Sequence, residues 1–332
     1  MSEVVNDNST RQQSLNAYNQ WCVQWREHAK FHSQYPMKPL NDFDLCGVGK
    51  ALLCIGNGAS FEDSLETIKK YQGNVDILVC DKTLGHCLDN GIIPTYCMVC
   101  DANVNFERYL EPHIDKCKNT ILFSNVCGNM KWTDPKIWKD MYFFVNSDVL
   151  NSELEFSKLS GCKNFIPAAT NVSGEMIVLI TQCDNSGRRN AFGYDKILLT
   201  GFDYSWEYQG RYYSFNEDGD GKTNYMRHLY GVNQDSQLCF TSNNLYFSME
   251  WLKKYINTFK LPVVNCSKKS ILDIGMPGKL EEHMKYTFHR EDVHKVKELS
   301  DKRKKLHKEM KAIEESMRHI AKNHHLAYVA SL

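Results

Sequence analysis

Three aspartates and one glycine turn carry the chemistry that is legible first. Asp81, Asp101 and Asp203 each end a short apolar run, in "VDILVCD", "TYCMVCD" and "KILLTGFD". A carboxylate in such a position accepts hydrogen bonds from ribose hydroxyls, holds Mg²⁺ through waters, or caps the helix that follows. The turn Gly56-Asn57-Gly58-Ala59-Ser60 ends a fourth apolar run, "ALLCI". Two glycines let backbone N–H groups approach an anion, and a helix starting behind them adds the positive end of its dipole. The same glycines also suit a plain tight strand-to-helix turn, and both readings stand at this point. The turn has neither the Lys-Ser/Thr of a P-loop nor the third glycine of the dinucleotide fingerprint.

Other polar clusters are weaker. "NEDGDGKTN" places Asn216, Asp218, Asp220 and Gly221 at calcium-loop offsets, but Arg227 stands where the bidentate Glu belongs. A mobile acidic loop over the site is the expected role. Cys97 and Cys100 form a lone CxxC inside a strand-like run, and a structural zinc site wants four ligands. The thirteen cysteines are scattered through apolar segments, as buried free thiols are, rather than paired in a disulfide framework. Seven of the twelve histidines fall between His283 and His325, dispersed among lysines, which suits a solvated helix rather than a metal site.

The elements that must position these residues follow from hydrophobic period. "ALLCIG" is a strand, and Phe61–Tyr71 an amphipathic helix opened by Ser60 with Asp63 three residues on, a capping-box-like start. "VDILVCD" is a second strand, "KTLGHCLDNG" a helix stopped at Gly91, and "IIPTYCMVCD" a third strand. "NTILFSNV", "KDMYFFVN", "CKNFIPA" and "DKILLTGFD" continue the strand series, with "SGEMIVLITQC" a buried helix and "SMEWLKKYINTF" a helix before "LPVVNCS". Short apolar strands alternating with helices specify an α/β fold, Rossmann-like, with a mostly parallel sheet flanked by helices. Ligands of such sheets bind outside the carboxyl ends of the strands, where the glycine turn and the three aspartates converge.

Residues 1–45 read as an N-terminal helical extension laid against the core, with little functional content. Residues 46–280 hold the Rossmann-like domain, and 281–332 form a charged, helical C-terminal segment. There Leu299, Leu306, Met310, Ile313, Met317 and Ile320 keep a three–four spacing, with Arg303 filling one slot. This suits either a short coiled coil that makes a homo-oligomer or a helix packed on its own domain. The 332 residues are 42% hydrophobic, with 40 basic against 40 acidic side chains. That balance argues against a globally basic nucleic-acid binder. No apolar run is long enough for a membrane span, and the polar N-terminus lacks a signal core, so a cytoplasmic location is expected.

The segment "CIGNGAS", followed by "VCDKTLGHCLDNGIIPTYCMVCDANVNFERYL", resembles motility-accessory-factor glycosyltransferases and archaeal hydroxymethylpterin diphosphokinase-like proteins. Those carry a glycine-Ser turn, an acid-ended strand, a Gly-Ile-x-Pro turn and another strand ending in Asp. Downstream, "ATNVSGEMIVLI", "KILLTGFDYSW", "YQGRYYSF" and "YMRH" resemble, in order, the related bacterial sialyltransferases. The resemblance covers roughly residues 50–275.

It implies a transferase that takes a sugar from a CMP- or UDP-linked donor to an acceptor hydroxyl. Asn57, Gly58, Ser60, Asp81, Asp101, Asn171, Ser173 and Gly174 would bind the nucleotide. Tyr212 and Tyr213 would meet the phosphate, and His228 would be the general base, with Asp203 beside the chemistry. Sialyltransferases have Asn where Asp81 and Asp101 stand, so the acids fit the pterin-enzyme side better and leave a metal open. A Mg²⁺-dependent diphosphokinase using ATP is therefore the alternative, with Asp101 and Asp203 as metal-side carboxylates and Lys82, Arg188 and Arg189 as phosphate candidates. A non-catalytic assembly protein on the same fold is the third reading. The acceptor, whether protein, glycan, lipid or modified nucleic acid, is not encoded in these motifs.

Overall fold

The alternating apolar runs become one eight-stranded sheet. The computed structural model describes residues 8–147, 152–182, 191–207, 213, 215, 228–275 and 277–285, together with positions within 295–320. In chain order the elements are α1 (Asn8–His32), β1 (Ala51–Ile55), α2 (Ser60–Tyr71), β2 (Asp76–Cys80), α3 (Asp81–Asp89), β3 (Tyr96–Val99) and α4 (Phe106–Tyr109). Then come β4 (Ile121–Asn125), β5 (Asp140–Ser147), α5 (Glu153–Ser160), β6 (Phe165–Pro167), α6 (Val172–Thr181) and β7 (Lys196–Thr200). β8 (Trp206–Glu207), β9 (His228–Val232), β10 (Leu238–Thr241), α7 (Asn243–Phe259), β11 (Val263–Asn265) and α8 (Leu280–Met284) complete the described elements.

The sheet order is β11-β7-β1-β2-β3-β4-β5-β6, and every pairing is parallel. From β1 the chain first winds outward through β2 to β6, then crosses back to add β7 on the other side of β1. β1 and its two neighbours therefore form the reversal point, where such sheets open a crevice at their carboxyl ends. Both faces are covered, which is why the central strands are apolar throughout rather than alternating. Leu52, Cys54, Leu78 and Met98 point to one core with α6 and α7. Leu53, Ile55, Val79 and Val99 point to the other, against Phe61 and Ile68 of α2 and Leu84 of α3. Side chains two residues apart share a face, as the strand period requires.

The N-terminal helix is bound to this second layer by polar contacts. His32 is fully buried; its Nδ1 lies 2.8 Å from the Val126 carbonyl and its Nε2 3.1 Å from Thr133 Oγ1. Burial lowers its pKa to about 4, so the ring stays neutral at ordinary pH. Tyr18 and Arg26 both bind the Glu155 carboxylate of α5, at 2.8 and 2.5 Å.

A small antiparallel sheet, β8-β10-β9, was not legible in the sequence, because its strands are two to five residues long and carry no clean alternation. None of the described cysteines forms a disulfide. No helix among the described residues is long and apolar enough to cross a membrane. The chain divides into two units, Met1–Thr287 and Phe288–Leu332. In the second, the described positions are helical, and Leu299, Leu306, Met310, Ile313, Met317 and Ile320 are all more than half exposed.

Candidate functional site

The glycine turn and the end of β7 cross at backbone distance. Gly56 N–H donates to the Thr200 carbonyl and Gly58 N–H to the Gly201 carbonyl, both at 2.9 Å. A Cβ on Gly56 would lie 2.4 Å from the Gly201 oxygen, and one on Gly201 would lie 2.2 Å from the Gly56 oxygen. The crossing thus demands glycine on both strands, independently of any ligand. It also engages the N–H groups that an anion cradle would have used.

The α2 terminus is occupied in the same way. Asp203 Oδ2 accepts from Ser60 N–H at 2.8 Å, while Oδ1 accepts from the Ser60 hydroxyl and, at 3.0 Å, from Ser267 Oγ. The expected capping box is corrected accordingly: Ser60 is the first helical residue, its hydroxyl bonds Asp203, and Asp63 pairs with Lys269 at 2.7 Å. Asp203 is buried, and desolvation raises its pKa against the opposing pull of these donors. A carboxylate already sits at the positive end of the α2 dipole, where a phosphate would otherwise be favoured.

Beside this knot, at the carboxyl ends of β1, β2, β3 and β7, lies a cavity of about 300 Å³. Asn57, Gly58, Asp81, Asp101, Asn171, Ser173, Asp203 and Tyr213 all line it. Asp81 is buried as the first residue of α3, and its Oδ1 accepts from Lys82 N–H at 2.7 Å. Lys82 Nζ stands 5.2 Å from the centroid of the Tyr213 ring, a cation–π distance. Asp101 is exposed on the loop after β3, its Oδ1 accepting from Asn103 N–H at 2.7 Å. Asn171 caps α6, accepting from Gly174 N–H at 2.9 Å, so Val172 and Ser173 bring the positive end of that helix to the cavity wall.

Ser60 and Gly174 stand behind this wall. Ser60 is turned to Asp203, and Gly174 packs against Ala169 and Trp251. Tyr212, Arg188, Arg189 and the acidic loop 216–227 lie outside the described residues. β9 begins at His228, whose side chain is likewise outside them; its backbone pairs with Thr241, whose hydroxyl donates to the Tyr204 carbonyl at 2.7 Å.

Tyr204 itself was missed. It lines the same cavity and adopts a left-handed backbone, φ 56°, which is strained for a bulky residue. Its hydroxyl is buried without a hydrogen bond. Burial pushes the phenol's pKa up, and the nearby Ser173 and Asn171 side chains pull it down without reaching hydrogen-bond geometry. The signal in the sequence was "GFDYSW", where Tyr204 follows the acid-ended strand directly.

A second cavity, of about 420 Å³, adjoins the first and shares Asp101, Asn171 and Val172 with it. Ala17 and Trp25 of α1 and Phe156 of α5 wall it, so the N-terminal helix does more than cover the core. Among the described residues no group of three or more His, Cys, Asp or Glu side chains could hold a metal ion. Of the expected metal-side pair, Asp203 has both oxygens engaged by Ser60 and Ser267, which leaves Asp101 on the cavity with Asp81 beside it; Mg²⁺ carried by phosphates needs only one or two such carboxylates.

No curated protein matches the chain in sequence. Among solved structures, the MAf glycosyltransferase from Magnetospirillum magneticum AMB-1 is similar in fold, with a TM-score of 0.57 at 14% identity. The match covers 78% of this chain and 38% of that one, so the chain spans well under half the length of that enzyme. The family model described as 6-hydroxymethylpterin diphosphokinase MptE-like matches residues 24–209, from α1 through β8, and so takes in Asn57, Asp81, Asp101, Asn171 and Tyr204. With more than half of its length so matched, the chain belongs to the 6-hydroxymethylpterin diphosphokinase MptE-like family.

Proposed function

We propose that the protein is a glycosyltransferase that binds a CMP- or UDP-linked sugar in the smaller cavity and moves the sugar to an acceptor hydroxyl. The observation that supports this best is the convergence of Asn57, Asp81, Lys82, Asp101, Ser173, Tyr204 and Tyr213 on one cavity at the reversal point of a parallel sheet. Carboxylates and amides suit ribose and base edges. A lysine, a helix N-terminus and a buried tyrosine hydroxyl suit a leaving phosphate, which needs donors aimed at its developing charge. The shared fold of a glycosyltransferase is consistent with this reading. The smaller cavity presents Lys82 as its cation among the described residues, a modest complement for one or two phosphates.

The family's description favours a second reading, transfer of diphosphate from ATP to a hydroxymethyl group. Asp81 and Asp101 would then hold Mg²⁺, which would supply positive charge to offset that of the phosphates. Thermal-shift measurements with CMP, UDP and ATP, each with and without Mg²⁺, separate the two. The glycosyltransferase reading expects stabilisation by CMP or UDP. Stabilisation by ATP alone, and only with Mg²⁺, would overturn it in favour of the diphosphokinase.

A further inference from the structure

The first turn of α6 serves two cavities. Ser173 lines the smaller and Glu175, two residues and about 200° further round the helix, lines the larger. Glu175 is 5% exposed and is the one ionisable residue of α6, directly ahead of the apolar run Met176 to Ile180. Its Oε2 accepts from Ala169 N–H at 2.8 Å, and its Oε1 accepts from Asn146 Nδ2. Asn146 Oδ1 in turn accepts from Asn125 Nδ2, and Asn125 Oδ1 accepts from Cys127 N–H at 2.8 Å. That backbone N–H at the far end fixes the polarity of the whole chain, so each amide points its NH₂ toward Glu175. Each carboxyl oxygen takes one such bond and keeps a lone pair for something in the cavity.

The rest of the wall narrows the ligand. The described lining residues include no Lys, Arg or His; the titratable ones beside Glu175 are Asp101 and the thiols of Cys100 and Cys127. An anionic ligand would meet two carboxyl groups and no cation. Trp25 and Phe156 stand edge to face, ring centroids 6.1 Å apart, and supply aromatic surface for the apolar face of a sugar ring. Asn125, Asn146, Thr170 and Ser152 supply hydroxyl partners.

We propose that the larger cavity is the acceptor subsite, that it takes a neutral saccharide, and that Glu175 accepts the proton of the attacking hydroxyl. The inference rests on the glycosyltransferase reading. In the step, the acceptor oxygen bonds to the donor's anomeric carbon and the bond from that carbon to the phosphate oxygen breaks. The electron pair leaves with the nucleotide, and the acceptor proton moves to a Glu175 oxygen. The two cavities meet at Asp101 and Asn171, where donor carbon and acceptor oxygen would come together. A base must reach the oxygen it deprotonates; Glu175 is the carboxyl that lines the acceptor cavity alone, whereas Asp101 is shared with the nucleotide side. His228 opens β9, and its side chain lies outside the described residues. Burial raises the Glu175 pKa to about 8, so the carboxylate is a strong base when formed.

The test uses the full-length protein and a panel of neutral mono- and disaccharides, their sialylated counterparts, and 6-hydroxymethylpterin. Binding is read by ligand-observed NMR without donor, so that it does not depend on nucleotide binding. Ala17→Trp, at the edge of the cavity, is expected to weaken neutral-saccharide binding at least tenfold and to leave nucleotide binding unchanged. Glu175→Gln is expected to bind nucleotide normally, lose at least a hundredfold in transfer, and lose the rise of kcat/KM through about pH 8. Preference for the charged sugars, or for the pterin, would overturn the saccharide assignment. Wild-type transfer with an unchanged pH profile in Glu175→Gln would remove the proton role. If saccharide binds as expected but no nucleotide does, the glycosyltransferase reading fails while the subsite stands.

Discussion

Ser60, the first residue of α2, donates its backbone N–H to Asp203 Oδ2 at 2.8 Å and its hydroxyl to Oδ1 of the same carboxylate. One side chain from the end of β7 thereby caps the helix that follows β1, across the central strand pair. Asp203→Ala leaves the Ser60 N–H and the Ser267 hydroxyl buried without this acceptor. A loss of about 2–3 kcal/mol is expected, the cost of stranding buried donors less the carboxylate's own desolvation. Urea unfolding of the two proteins measures it; an unchanged midpoint would contradict the capping role.

The crossing of Gly56 and Gly201 gives a comparison between two glycines with the same backbone sign. Gly201 (φ 70°) would place a Cβ 2.2 Å from the Gly56 oxygen, whereas Gly91 (φ 72°) has open space around it. Gly91→Ala is expected to cost about 1 kcal/mol, the left-handed penalty alone. Gly201→Ala adds a clash with backbone and should cost at least about 3 kcal/mol or prevent folding. Equal melting temperatures for the two variants would refute the contact.

Glu175 makes stability fall with pH. Its folded pKa, about 8, lies above the ordinary value of 4.5, so the folded state holds the proton more tightly. The stability this contributes is complete below about 4.5 and is lost as pH rises toward about 8. Between pH 5 and 8.5 the wild-type Tm should decline more steeply than that of Glu175→Gln, whose amide does not titrate. Parallel curves would show that Glu175 is ionised throughout.

Much of this was legible because strand chemistry is local. The runs at Leu52, Ile77, Met98 and Leu198 are apolar on both faces, and the polar residue that ends each one must lie at the same sheet edge. Asn57, Asp81, Asp101 and Asp203 were found by that rule, and all four line the smaller cavity. What each does there was not legible. Sequence could not show that the Gly56 and Gly58 N–H groups meet Thr200 and Gly201, some 145 residues away, so the turn looked like an anion cradle. The larger cavity was missed because Trp25, Asn125, Asn146 and Glu175 come from four separate elements. One signal was present: an acid inside "GEMIVLI" has no surface to reach and must face a polar partner or a cavity.

The C-terminal unit has its own consequence. Leu299, Leu306, Ile313 and Ile320 repeat every seven residues, with Met310 and Met317 four residues after Leu306 and Ile313. That is a period of 3.5, which suits a supercoiled partner of the same pattern, and all six are exposed. Light scattering of the full-length protein is expected to give a multiple of 38.5 kDa. The double variant Leu306→Asp, Ile313→Asp should return the monomer mass. A monomeric wild type would contradict self-association through this stripe.

The most direct measurement is calorimetric titration of CMP and UDP into the wild-type protein and into Tyr204→Phe. The Tyr204 hydroxyl is buried without a partner, so its removal should leave Tm unchanged or slightly raised. A phosphate that accepts from it would lose about 1.5 kcal/mol, or roughly tenfold in affinity. At least one of the two nucleotides is expected to bind the wild type, with that loss in the variant. Absence of binding by both, or equal affinity in the two proteins, would contradict this expectation.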